Sequence, residues 1–231
     1  MTDFLQIGIL PVALTLGAYQ IGLLLQRKTK SPICNPILIA VVIALAFLSL
    51  TGLGNAEYQS GTASISWLMT PATVSLAIPM YEQFRILRKN LKAVAAGIIS
   101  GIVTCLAVVL LFCAAMGYDR TLTVSLLPKS VTSAIGIPLS ELSGGIASVT
   151  TAVIIFTGII ANMLGTLLCR IFGLTDEIAK GVALGTSGHV IATTKANEIS
   201  PLTGAASSLS LVIAGLLTAV LFPVLTALLS S

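Results

Sequence analysis

Long uninterrupted apolar runs alternate along the chain with shorter apolar segments punctuated by proline, glycine and hydroxyl residues. A helix needs about 20 mostly apolar residues to cross the hydrocarbon core of a bilayer. Five runs meet that need: Leu5–Leu25, Pro36–Leu53, Ala93–Met116, Ile146–Leu168 and Gly204–Leu228. Three shorter segments lie between them, at Ile65–Tyr81, Val124–Leu142 and Ile178–Ile199. The pattern predicts an all-α integral membrane protein with about five long spanning helices and three broken or re-entrant helical segments. Pro71 and Pro79 punctuate the first short segment, Pro128 and Pro138 the second. Each removes a backbone donor and clashes with the preceding turn, so each is expected to break its helix. Lipid cannot satisfy the groups freed by a break, which must therefore face protein or a watery cavity.

Composition narrows the class without changing it. Hydrophobic residues make up 56% of the 231, charged residues only 9%, and the mean hydropathy is +1.05, far from the roughly 25% charged content of a soluble domain. No polar linker divides the chain, so one transmembrane domain over 1–231 is expected, with scaffold helices to about residue 60 and a repeat-containing core from about 61. The net charge of +4 is not spread along a face as nucleic-acid binding requires. Seven of the twelve basic residues fall in two short stretches, Arg27, Lys28 and Lys30, then Arg85, Arg88, Lys89 and Lys92. Such clusters mark cytoplasmic loops. Two crossings between them place the N-terminus outside, in a cell membrane, and the C-terminus outside as well. Leu5–Leu25 lacks a basic lead-in and is too long for a signal-peptide core, so it reads as a retained helix. Cys34, Cys105, Cys113 and Cys169 show no C-x-x-C spacing and read as small core residues.

The segments 73–82 and 132–141 share the pattern T-x-x-x-x-I-P-x-x-E, from Thr73 through Pro79 to Glu82 and from Thr132 through Pro138 to Glu141. Interrupted segments in corresponding positions point to a transporter's binding site, with the repeats inverted. Asn35-Pro36 fits a helix start, the amide as cap and the proline in the first turn.

Two polar blocks carry the candidate chemistry. The first is Pro128-Lys129-Ser130-Val131-Thr132. Lys129 either marks the membrane surface at a helix start or lines a cavity, where it meets an anionic solute or pairs with Glu198 or Glu141; an unpaired charge in the membrane costs about 3 kcal/mol or more. The second runs from Gly181 to Glu198 and holds the single histidine. Gly181, Gly185 and Gly188 suit either a close-packed helix seam or a re-entrant turn. Thr186, Ser187, His189, Thr193, Thr194, Lys195, Asn197 and Glu198 supply more polar groups than a seam uses. His189 reads as a proton-linked or substrate-contacting group, or as a structural hydrogen-bonder. Ser207 and Ser208 on the last helix are candidates for the same cavity. No metal-ligand spacing and no nucleophile-base-orienter set is present, so neither cofactor nor enzymatic activity is expected.

Three strings in this order resemble the LrgB/CidB family of bacterial membrane proteins: Pro71 to Glu82 ending A-I-P-M-Y-E, Leu127-Pro128-Lys129-Ser130-Val131-Thr132, and Gly181 to Glu198 with its G-T-S-G-H core, followed by Gly204 to Gly215. The resemblance covers nearly the whole chain. At Gly188, Val190 and Ala192 the chain departs from the family's commoner S-H-A-x-G-T wording, while His189 and Thr193 match it. The resemblance implies an LrgA/CidA-type membrane partner and a link to control of autolysis and programmed cell death. It also implies kinship with plastid glycolate/glycerate carriers and with proteins tied to pyruvate uptake.

Two function classes follow. A carrier of small monocarboxylates would hold its solute at helix breaks with hydroxyls and a neutralising Lys129 or Lys195. It would work by alternating access, with the segments around Pro128 and His189 as opposed hairpins and the N-terminal helices as a homodimer interface. An antiholin-like regulator, modulating murein hydrolases through a holin-like partner, needs only a packing surface. The buried polar content favours the carrier.

Overall fold

A computed structural model describes residues 9–29, 35–52, 54–68, 71, 74–75 and 77–229. The regular elements among them are helices, with no strand. Thr73 and Cys34 lie outside the described residues. The chain forms two compact units, Met1–Ser75 and Leu76–Ser231.

The first unit contains α1 (Leu10–Thr29), α2 (Pro36–Thr51), α3 (Asn55–Gly61) and α4 (Ala63–Trp67). Asn35 caps α2 as its sequence suggests, Oδ1 accepting from the amides of Ile37 at 2.9 Å and Leu38 at 3.3 Å. Gly52, at φ 68°, ends α2 in the left-handed conformation. The helix therefore has 16 residues, about 24 Å, less than the long crossing expected for Pro36–Leu53. Gly22 lets α1 approach the start of α2, where an added Cβ would lie 2.7 Å from Pro36 Cα. Thr15 on α1 shares a 2.7 Å hydrogen bond with the Tyr58 hydroxyl on α3.

The second unit contains α5 (Ala77–Glu82), α6 (Phe84–Lys89), α7 (Leu91–Met116), α8 (Arg120–Leu126), a 3-10 turn at Leu127–Ser130, α9 (Ser133–Leu142), α10 (Ala147–Ile171), α11 (Glu177–Ile199) and α12 (Pro201–Leu228). Among the described residues, α7, α10 and α12 are the three helices long and apolar enough to cross a membrane. They match the expected runs to within a few residues. On α7 the buried residues Val94, Ile98, Ile102, Leu106, Val109 and Cys113 recur every three or four positions, one face of a helix. They pack on Val124, Leu127, Val182, Ala214 and Phe222. The opposite face exposes Ile99, Val103, Leu111 and Phe112. An exposed face as apolar as the core is what a lipid solvent requires, and the chain is an all-α membrane protein.

Both short segments between these helices fold back on themselves. Asp119 caps α8 through a 2.9 Å bond from the Leu122 amide, and the helix ends in the turn holding Pro128, whose backbone is non-helical at φ −83°, ψ 21°. The chain then returns as α9, so that the start of α8 meets the end of α9: the Arg120 guanidinium lies beside Gly144. Thr150 on α10 clamps the two limbs, its hydroxyl 3.0 Å from the Ser125 carbonyl and 2.7 Å from Ser140 Oγ. The second hairpin is α11. Asp176 caps it through a 2.8 Å bond from the Ala179 amide, and it breaks at Gly188 and His189.

Helix α12 serves as a ruler for both. Gly181 and Asn197, on opposite limbs of α11, lie against Thr203 and Gly204, while Gly185 and Thr193 lie against Ser207. The base of the second hairpin thus sits at the start of α12, and its limbs pass Ser207, one to two turns in, before they reach the tip. At the other end, Arg120 Nη2 lies 3.5 Å from the Thr226 carbonyl, and Ile135 packs beside Gly215. The hairpins enter from opposite ends of a helix about 42 Å long, tips toward each other. Each is followed by a long apolar helix, α10 after the first and α12 after the second.

Two expectations change here. Pro138 does not break its segment: α9 continues through it to Leu142, because a single proline forfeits one bond to the Ala134 carbonyl and the interruption has already occurred at 127–132. Pro79 likewise falls within helical backbone, in α5. Pro71 is helical and exposed. The T-x-x-x-x-I-P-x-x-E pair falls partly outside the described residues.

Candidate functional site

The two helix breaks meet in the interior, and most of the polar candidates meet with them. In the second hairpin Gly181 and Gly185 form the seam against α12. A Cβ on Gly181 would stand 2.6 Å from Ala206 Cβ, and one on Gly185 2.9 Å from Ser207 Cα. Gly188 serves the turn itself, at φ −135°, and is followed by His189 at φ 44°, ψ −141°. That conformation favours glycine and costs a histidine roughly 1–3 kcal/mol.

Three contacts hold His189 there. Its Nε2 lies 3.0 Å from the Ile154 carbonyl on α10; a carbonyl only accepts, so Nε2 carries a proton and donates. Gly158 makes room, since a Cβ on it would lie 2.7 Å from His189 Cε1. Thr193 Oγ1 donates to the His189 carbonyl at 2.9 Å and, with its single proton so engaged, accepts from Ser207 Oγ at 2.8 Å. His189, Thr193 and Ser207 are all buried. Ser208 is buried too, its hydroxyl without a hydrogen-bond partner among the described residues.

The first hairpin brings its tip to the same depth. Pro128, Val131 and Ile154 crowd around Gly136, where a Cβ would lie 2.7 Å from Ile154 Cδ1. Ile154 therefore touches the first tip with its side chain and the second through its carbonyl. Ser130 and Val131 share a void of about 10 Å³ with Thr186, Ala214 and Thr218. Lys129 is half-buried and donates to Ser130 Oγ at 3.1 Å. Thr132 sits at the N-cap of α9 without a side-chain cap bond, leaving the helix's first amides directed at the tip.

Below the tips lies a cavity of about 730 Å³ between α7 and the first limb of α11. Ser100, Thr104, Thr186 and Ser187 line it, as do Asn90 and Asp176 at the starts of α7 and α11. Thr186 and Ser187 donate to the carbonyls of Val182 and Ala183 at 2.8 Å and 2.7 Å. Thr186 lines both the large cavity and the small void, so the first tip closes the cavity's inner end.

Glu198 does not join this group. The second hairpin carries it back to the base, where it is exposed and pairs with Lys195 at 2.7 Å. Of the partners open to Lys129, Glu198 is thus engaged in this local pair, and Glu141 is exposed at the base of the other hairpin.

Several contributors have weak sequence signals. Ile154 and Gly158 act through backbone and space, which no side-chain motif announces. Asn162 is more visible, a single amide in an apolar helix. It donates to the Ile191 carbonyl at 2.8 Å and to Thr194 Oγ1 at 3.0 Å, tying α10 to the returning limb of α11. The true start of α12 is announced by Ser200-Pro201, with Ser200 Oγ accepting from the Thr203 amide at 3.1 Å, three residues before the start expected at Gly204.

The model of the LrgB-like family matches residues 15–228. The chain belongs to that family. The LrgB-like chain is 35% identical over 214 residues to the antiholin-like protein LrgB of Bacillus subtilis (strain 168), covering 92% of this chain and 93% of that one. It is 32% identical over 225 residues to the holin-like protein CidB of Staphylococcus epidermidis (strain ATCC 12228 / FDA PCI 1200), covering 97% and 98%. The antiholin-like protein LrgB of Bacillus mycoides (strain KBAB4) is 34% identical over 213 residues, covering 92% and 93%. No solved structure matches the LrgB-like chain.

Proposed function

We propose that this LrgB-like chain is a carrier of small monocarboxylates of pyruvate or glycolate size, working by alternating access with an LrgA/CidA-type partner. The observation that carries the reading is the meeting of two oppositely inserted hairpin tips at the inner end of a largely apolar cavity of about 730 Å³, where Thr104, Thr186 and Ser187 supply hydroxyls. Irregular backbone at that depth is tolerated where it lines a cavity, and paired broken segments at a repeat interface suit a substrate site.

The end of the cavity away from the tips lies beside Asn90, within the basic stretch from Arg85 to Lys92. The positive-inside rule makes this the cytoplasmic side, so the arrangement corresponds to an inward-open carrier sealed outside by the first hairpin. The solute carboxylate would be held by Lys129, Ser130 and the uncapped start of α9 near Thr132, with Thr186 and Ser187 rotating off their carbonyls to donate. His189, fixed by Ile154, Thr193 and Ser207, positions the opposing tip. Exchange of access would separate the tips and open the Ser125–Thr150–Ser140 clamp. A homodimer through the helices of the first 60 residues belongs to the same reading.

Uptake of labelled pyruvate or glycolate into proteoliposomes tests it. Wild type should exceed empty vesicles, and Lys129→Ala should lose roughly ten- to a hundredfold, the worth of a charge-assisted hydrogen bond. Wild-type vesicles no better than empty ones, with and without the partner protein, would refute it.

The relatives' names, antiholin-like and holin-like, favour a second reading, an antiholin-like regulator of autolysis acting through a membrane partner. In that case Lys129→Ala would leave function intact.

A further inference from the structure

A second cavity, of about 400 Å³, opens at the base of the second hairpin and shares only Leu174 with the larger one. Thr166, Cys169 and Arg170 of α10, Thr175 of the connecting loop, and Lys180 and Ile199 of α11 line it. Neither Arg170 nor Lys180 has a carboxylate or hydrogen-bond partner among the described residues; the one ion pair among them is Lys195 with Glu198. Two unpaired cations facing one cavity beside two threonines make a receptor for an anion. The nearby carboxylates do not neutralise them: Asp176 caps the Ala179 amide and lines the other cavity, and Glu177 is exposed and lines neither.

The surroundings select the kind of anion. Leu167, Leu168, Ile171 and Phe172, which flank Arg170 in sequence at the end of α10, are exposed, an apolar belt beside the arginine that lines the cavity. A solute from water has no use for that belt; an acyl chain does. Basic pockets between membrane helices on the cytoplasmic side are suited to anionic headgroups, and a guanidinium matches a phosphate as a fork. We propose that this cavity binds the phosphate headgroup of an anionic phospholipid, with Arg170 and Lys180 bridging α10 to the first limb of α11. The lipid would then brace the second hairpin at its base. This site stands apart from the transport reading and survives its failure.

The full chain purified in detergent provides the test, with binding followed by native mass spectrometry and by thermal unfolding. Phosphatidylglycerol should bind and raise the midpoint, whereas phosphatidylcholine and inorganic phosphate should not. The double variant Arg170→Gln/Lys180→Gln should weaken phosphatidylglycerol binding about thirtyfold, and Arg85→Gln/Arg88→Gln should leave it unchanged. Should the double variant fail to fold, Lys180→Gln alone should weaken binding about fivefold. Equal stabilisation by inorganic phosphate, unchanged binding in the Arg170 and Lys180 variants, or equal loss in the Arg85/Arg88 control would overturn the proposal.

Discussion

Replacing Gly185 by alanine tests whether the second hairpin is pressed backbone to backbone against α12. A Cβ there would lie 2.9 Å from both Ser207 Cα and Ser210 Cβ, and closer still to the Ser207 carbonyl oxygen. Ordinary contact begins near 3.4 Å, so the helices must part by at least about half an ångström. The opposing atoms are mostly backbone, and no rotamer change relieves them. Overpacking of this kind costs about 3 kcal/mol at the upper end of its range, offset by about 1 kcal/mol of better helix propensity. The net loss of about 2 kcal/mol corresponds to a fall of roughly 4–8 °C in the unfolding midpoint of a chain this size. Gly17→Ala is the control, since nothing lies within 4 Å of its added Cβ; it should hold or raise the midpoint. Far-UV circular dichroism of the detergent-purified variants during a thermal scan reads both. Equal shifts of the same sign would refute the close seam.

Thr193→Val leaves the His189 carbonyl and the Ser207 hydroxyl without their partner and should cost about 1–3 kcal/mol; combined with Gly185→Ala it should cost less than the sum, because both disturb the contact with Ser207. Thr150→Val opens the clamp on the first hairpin at a similar cost, and hydrogen exchange should rise across residues 120–142 more than across 177–199. Glu198→Gln removes an exposed pair and should change stability by less than about 0.5 kcal/mol, with solute uptake at the wild-type level in the proteoliposome assay.

What the sequence determines by itself is the solvent and the long helices. Twenty or so apolar residues in a row admit one partner, the bilayer, so α7, α10 and α12 and the family to which they belong are legible from composition and local motif alone. The Asn35 cap is legible too, because capping is a contact among residues two or three apart. The positions of the two breaks are also visible, as Pro128 and the Gly185-Thr186-Ser187-Gly188-His189 run, since a missing donor and flexible glycines act locally. Their consequences are not. That Pro138 leaves its helix intact depends on the break already made ten residues earlier, and that Glu198 leaves the site depends on α11 folding back. Both follow from the direction taken after a turn, which small changes in two or three dihedrals decide and no periodicity records. The same holds for Ile154 and Gly158, whose parts are a carbonyl and a space. Only the tertiary structure brings those to His189, because buried backbone groups find their partners through packing between segments distant in the chain.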